Sequence, residues 1–270
     1  MATVYFGRLV GPAGFQRTVA IKRLHPQFAK ASEFVDMFLD EARLAGRIKH
    51  PNVISILDVE ALDGELFLVM EYVPGESLAR LQQHARAAGR PIPLPIVSAI
   101  AIGMLLGLHA AHEARDEQGR SLEMVHRDVS PQNVLVGVDG VSRLLDFGIA
   151  KAVGRLHTTR EGQLKGKLAF MPPEQIRQGQ VDRRTDIYSA AVALYGATAG
   201  ALPFVGDEAS LLYQILHTAP EPASTLRPDI PPALDELIQK GMSTTPSERF
   251  ATAHEMAVAL EAAVPPGTQL

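Results

Sequence analysis

The chain has no cysteine among its 270 residues, which rules out both a disulfide framework and a thiolate metal site. That absence suits a reducing compartment, and a cytoplasmic location is expected. Concentrated positive charge is also missing. Lys and Arg are scattered, the formal net charge is -4 and the pI is near 6.1, so there is no electrostatic footprint for nucleic acid. No signal peptide precedes the first strand-like residues. The longest apolar stretch, 95–111, contains His109 and several small residues, and reads as a buried helix rather than a membrane contact. Internal repeats and low-complexity tracts are not evident.

The hydrophobic share, 46%, is enough for a sizeable core in one large domain or two closely packed lobes. Strand-like segments at 3–10 and 17–24 are joined by GPAGF, and a second pair at 53–59 and 66–70 flanks an Asp63-Gly64 turn. Between the pairs, 32–49 carries Phe34, Met37, Phe38, Leu44, Ala45 and Ile48 at helical spacing, with Ser32 as N-cap. Past Pro74-Gly75 the texture changes, and helices are expected at 94–112, 185–199, 210–218, 233–240 and 252–263. The fold class expected is α+β: a small antiparallel sheet with one helix over 1–73, a larger mainly helical lobe over 74–263, and a linker-like tail at 264–270. Irregular stretches at 114–124 and 151–184 are long enough to suggest function.

Several charged residues stand where charge is expensive. Glu41 falls within or beside the apolar stripe of the 32–49 helix. In TVAIKRL the alternation puts Ala20, Lys22 and Leu24 on one strand face. A Lys22–Glu41 pair would satisfy both charges; alternatively each head group reaches water from a lobe edge. Asp146 ends the apolar run VSRLLDFGIA, and Asp128 and Asn133 stand five residues apart in HRDVSPQN. Each has a bland reading as a turn or cap residue. Their order changes the weighing: VAIK at 19–22, an acid at 41, HRD with its asparagine, then DFG.

With these motifs the chain resembles the eukaryotic-like protein kinases, particularly the bacterial serine/threonine kinases, over nearly its whole length. The resemblance implies a two-lobed protein-kinase-like fold, ATP and Mg2+ as cofactors, a protein substrate, and transfer of the γ-phosphoryl group to Ser/Thr hydroxyls. It further implies that Lys22 holds the α- and β-phosphates and pairs with Glu41, and that Asp128 orients the substrate hydroxyl and accepts its proton. Asn133 and Asp146 would ligate magnesium. Met70 would be the gatekeeper, Glu71, Tyr72 and Val73 the hinge that reads adenine, and Val4, Ala20 and Leu135 the purine sandwich. Glu174 would pair with Arg249, and Asp186 would brace the catalytic loop. Arg127 would meet a phosphate on Thr158 or Thr159.

The sequence departs from the family pattern in three places. Val4 matches the valine of G-x-G-x-x-G-x-V and Ala2 the third glycine, so the first two glycines would lie before Met1, and the protein is expected to start further upstream. Residues 3–10 would then form a sheet edge open to self-association. Ser130 stands where a lysine is usual, and Lys167, after Gly166, where a threonine is usual. Either the two groups have exchanged positions, with Lys167 delivering the phosphate-facing cation, or Lys167 faces solvent. A catalytically weak kinase-like binding module and a small-molecule phosphotransferase are the alternative functions.

Overall fold

The structure is a computed structural model and describes residues 2–25, 32–147 and 166–267, without the side chains of Ser32, Glu33, Phe34, Met37 and Glu41. Its smaller lobe is a four-stranded antiparallel sheet of order β1-β2-β4-β3, made of β1 (Ala2–Val10), β2 (Gln16–Leu24), β3 (Ile56–Leu62) and β4 (Glu65–Glu71). The turn between β3 and β4 holds Asp63 at φ 52° and Gly64 at φ 76°, two successive left-handed residues whose twist matches that of the paired strands. One helix, α1 (Ser32–Ala45), lays Phe38 and Ala42 on Leu24, Leu68 and Met70 of the sheet. β1 is an edge strand, as expected, and presents Val4, Phe6 and Val10 to solvent.

Two of the departures from the sequence expectation bear on how the lobes join. Residues 53–55 do not belong to β3. Val53 bridges to Leu144, and the Leu144 N–H donates to the Asn52 carbonyl at 2.9 Å, so the apolar run is used to join the lobes. The helix expected to reach 49 ends at Ala45. There the chain turns and drops Ile48 into a cluster with Val53, Ala111, Met124 and Phe147.

The larger lobe contains α2 (Leu78–Ala87), α3 (Leu94–His112), α4 (Pro173–Ile176), α5 (Arg183–Ala199), α6 (Glu208–His217), α7 (Pro232–Gly241) and α8 (Ala253–Ala263). Asp182, Asp207 and Thr252 fix the starts of α5, α6 and α8 by accepting the backbone N–H of Arg184, Ser210 and Glu255. Sequence reasoning did not anticipate α2, because its residues are polar on average and of them only Leu78 is buried. Among the described residues α3 has the length and composition of a membrane span, yet Met104, Leu105 and Leu108 are buried in the core between α5 and α8. The tail begins anchored, since Val264 is buried and its carbonyl accepts the Ser98 hydroxyl at 2.6 Å.

A second sheet, β5 (Gly75–Ser77), β6 (Val134–Gly137) and β7 (Ser142–Leu144), lies on α3. Glycine is required where they meet. A Cβ at Gly107 would come 2.5 Å from the Asn52 carbonyl oxygen, and one at Gly103 would overlap Ser142. The close approach is secured by Asn52 Nδ2 donating to the Ser142 carbonyl and by the Ser142 hydroxyl donating to the Ile100 carbonyl, each at 2.8 Å. This contact fixes the β6–β7 hairpin, and with it two of the expected site residues.

Candidate active site

Asp128 and Asn133 are five residues apart because the chain closes a small ring between them. Residues Pro131–Asn133 form a 3-10 turn, the Asn133 N–H donates to the Ser130 carbonyl at 2.9 Å, and Asn133 Nδ2 donates to the Asp128 carbonyl at 2.8 Å. An amide suits this place because one end donates to the loop while its oxygen remains available as a ligand. The loop is braced from beneath by Asp186, wholly buried in the first turn of α5. Its Oδ1 accepts the Arg127 N–H at 2.8 Å, and its Oδ2 accepts the His126 N–H at 2.7 Å and His112 Nε2–H at 2.8 Å. These bonds hold Arg127 at φ 60°, a left-handed conformation costing about 1–3 kcal/mol for a residue of this kind. His126 adds a second tie. Its Nε2–H donates to the Leu145 carbonyl at 3.0 Å, so Nδ1 is free to accept the Asp128 N–H at 3.3 Å.

Asp146 is brought to the same edge by the hairpin. β6 starts immediately after Asn133 and pairs antiparallel with β7, Val134 opposite Leu144, so the residues flanking the hairpin emerge side by side. The Leu145 N–H donates to the Asn133 carbonyl at 2.9 Å and closes the pair. At the far end, Arg143 bonds both carboxylate oxygens of Asp139 and holds that carboxyl down to about 2. Asp146 itself is left-handed, at φ 49°, and Phe147 behind it is buried against His126, with ring centroids 4.8 Å apart. Lys22, on β2, extends its Nζ to within 2.8 Å of Asp146 Oδ1. The ammonium end is mostly covered while Asp146 is 43% exposed, so the carboxylate still faces the cleft. Glu41 lies on α1, and its side chain is outside the described residues, as are Thr158 and Thr159.

Register places the residues expected to meet a nucleotide. Val4 lies opposite Lys22, Phe6 opposite Ala20, and Ala20 opposite Met70, so all share one sheet face. Ala20, Met70, Val73 and Leu135 belong to one apolar cluster with Leu145, although Leu135 arrives from the helical lobe. Glu71 ends β4 and accepts the Ser55 N–H on its side chain at 2.8 Å. Val4 and Tyr72 lie outside that cluster and are exposed, Val4 at 59%. Sequence reasoning missed Phe6, whose ring meets Tyr72 edge-on at 5.2 Å at the mouth of this face. Only alternation from Val4 could have found it. Lys167 Nζ lies 2.9 Å from Asp128 Oδ2, and Ser130 is buried.

Below the site, Arg249 binds Glu174 with two parallel bonds of 2.7 and 2.8 Å. Arg249 also donates to the Arg184 and Ser243 carbonyls and lies over the Tyr188 ring, while Glu174 accepts the Thr185 hydroxyl. A buried charge pair is tolerated when its donors are filled in this way. Burial pushes the Tyr188 phenol up.

A small antiparallel sheet and a larger helical lobe, with these side chains gathered between them, define the two-lobed protein kinase class. The chain belongs to the protein kinase domain family, which matches residues 10–259. It is 41% identical to "Tyrosine-protein kinase MasK" of Myxococcus xanthus over 97% of this chain and 41% of that protein. Identity to "Serine/threonine-protein kinase PknL" of Mycobacterium tuberculosis is 36%, over 97% of this chain and 62% of that protein. The chain thus spans between two fifths and two thirds of the length of these relatives. The crystal structure of the Mycobacterium tuberculosis PknI kinase domain, as its C20A mutant, superposes with a TM-score of 0.71 at 29% identity, covering 97% of this chain and 90% of that one.

Proposed function

We propose that this domain transfers the γ-phosphoryl group of ATP, assisted by Mg2+, to serine or threonine hydroxyls of proteins. The observation that carries the reading is the gathering of Asp128, Asn133 and Asp146 on one braced edge, with Lys22 reaching Asp146 from the sheet above. Phosphoryl transfer makes few covalent demands and large electrostatic ones. The acceptor oxygen forms a bond to the γ-phosphorus, its proton passes to a carboxylate oxygen of Asp128, and the bond to the bridging oxygen breaks to release ADP. Asn133 and Asp146 offer an amide oxygen and a carboxylate, the hard donors that Mg2+ takes. No group of three or more His, Asp or Glu among the described residues could hold a metal by itself, so phosphate oxygens would complete the shell. Bound Mg2+ would neutralise charge on the phosphates. The apolar face of Ala20, Met70, Val73 and Leu135 would take the purine, and reliance on ATP supports a cytoplasmic placement of the domain.

A binding module without catalysis has no physical need for Lys22, Asp128, Asn133 and Asp146 together. One observation favours a second acceptor: a relative at 41% identity is named a tyrosine kinase, whereas those at 36% and 34% are named serine/threonine kinases. The test is transfer from γ-labelled ATP, by the full-length native protein, to itself and to a generic basic protein, followed by phosphoamino-acid analysis. Label on serine or threonine, abolished by chelation of divalent cations, is expected. Label on tyrosine alone would replace the acceptor assignment, and no transfer in the presence of Mg2+ would overturn the reading.

A further inference from the structure

Two carboxylates of the site each bond a lysine: Asp146 holds Lys22, and Asp128 holds Lys167, at 2.8 and 2.9 Å. The first pair belongs to the nucleotide side. The second places an ammonium against the carboxylate that, in the proposed reaction, faces the acceptor hydroxyl. We infer that Lys167 is a catalytic residue, the cation that meets the γ-phosphoryl group as it is transferred, an inference that rests on the kinase reading above.

If Asp128 takes the proton of the attacking oxygen, a group hydrogen-bonded to its Oδ2 is one hydrogen bond from the carboxylate that takes that proton. An ammonium has three N–H donors, and the bond to Asp128 occupies one of them. Lys167 stands on a fixed base: Leu168, Ala169 and Phe170 are buried in the core of the helical lobe, the Phe170 N–H donates to the Lys167 carbonyl at 3.2 Å, and the Ser189 hydroxyl of α5 donates to the Phe170 carbonyl at 2.8 Å. Its side chain, by contrast, is 45% exposed and open to the cleft. Inside the catalytic loop, the position two residues after Asp128 holds Ser130, which is buried and brings no charge. A loosely bonded phosphoryl group carries its charge on its outer oxygens, and Lys167 can donate to them without surrendering a proton.

The alternative is a merely structural tie that seats the segment after residue 165 on the catalytic loop. Kinetics separate the two. In Lys167→Met, kcat should fall by about 10²–10³-fold, while ATP affinity and the KM for the protein acceptor stay within about threefold. Lys167→Arg, which keeps the charge, should retain more of the rate than Lys167→Met. Equilibrium ATP binding and the melting temperature, measured on the same preparations, establish that each variant is folded. An unchanged kcat with a raised acceptor KM would overturn the inference in favour of the tie, and full activity of folded Lys167→Met would overturn both roles. Absence of transfer by the wild type is a different result, and would remove the kinase reading and this inference with it.

Discussion

Asp128 and Lys22 face one cleft from supports of very different stiffness. The Asp128 loop stands on a buried polar network: Asp186 fills three donors, and Val129, Ser130 and Val134 beside it are buried. Behind them lies the core of α3, α5, α7 and α8. Lys22 stands in a sheet whose apolar cluster is small and whose edge strand leaves Phe6 79% exposed. The groups assigned to proton transfer are thus preorganised by folding, whereas those assigned to the nucleotide are held by a surface-facing ion pair and a half-covered apolar face. Preorganisation is needed most where charge develops during reaction. A nucleotide, in contrast, can supply part of its own surroundings when it binds.

The most severe way to break the contrast is Asp186→Ala, which strips three buried donors of their acceptor. A loss of about 3–5 kcal/mol is expected, read by chemical denaturation, with transfer lost in whatever folds. Next, truncating one core leucine in each lobe should sharpen it. Leu108→Ala should cost toward the upper end of about 2–5 kcal/mol and Leu68→Ala toward the lower end, because the small sheet collapses more readily around a cavity. Equal costs would mean that the lobes are equally well packed. Phe6→Ala removes an aromatic pair worth about 0.5–1.5 kcal/mol at the mouth of the nucleotide face. ATP affinity should drop severalfold with kcat per bound ATP unchanged, and a fall in kcat instead would place Phe6 nearer the chemistry.

The smallest effect belongs to Asp139→Asn at the far end of the β6–β7 hairpin. Arg143 holds the Asp139 carboxyl at about 2, below the ordinary value of about 3.9, so its contribution is present above about pH 4 and is lost as pH falls toward 2. Because the pair faces solvent, the loss at neutral pH should be at most about 1 kcal/mol. Urea unfolding of the two proteins should converge as pH is lowered through that window. A gap that persists at pH 2 would assign the effect to something other than the ion pair.

What could be read in the sequence was whatever the chain closes locally. Asp128 and Asn133 share a five-residue ring, and Asp146 returns beside them across one short hairpin, so residues singled out by the order of the motifs and the family resemblance lie together. The Glu174–Arg249 and Asp186 ties were legible only through the family resemblance, since they join residues far apart in the chain. The tie from His112 to Asp186 and the Phe6–Tyr72 contact escaped, because a histidine on an apolar helix and an aromatic on an edge strand have many bland uses. Residues 53–55 misled for a physical reason: a β-rich run satisfies its backbone equally well by bridging to Leu144 in the other lobe. Lys22 also meets Asp146, a contact made in the third dimension that strand alternation does not show.

The most direct test of the division between a preorganised proton-transfer side and a nucleotide-dependent side is to measure ATP binding and phosphoryl transfer together in wild type, Asp128→Asn and Lys22→Ala. Asp128→Asn should bind ATP as the wild type does and lose transfer by about 10²–10⁴-fold, whereas Lys22→Ala should lose ATP affinity as well. Wild-type transfer rates in folded Asp128→Asn would contradict the account at its centre.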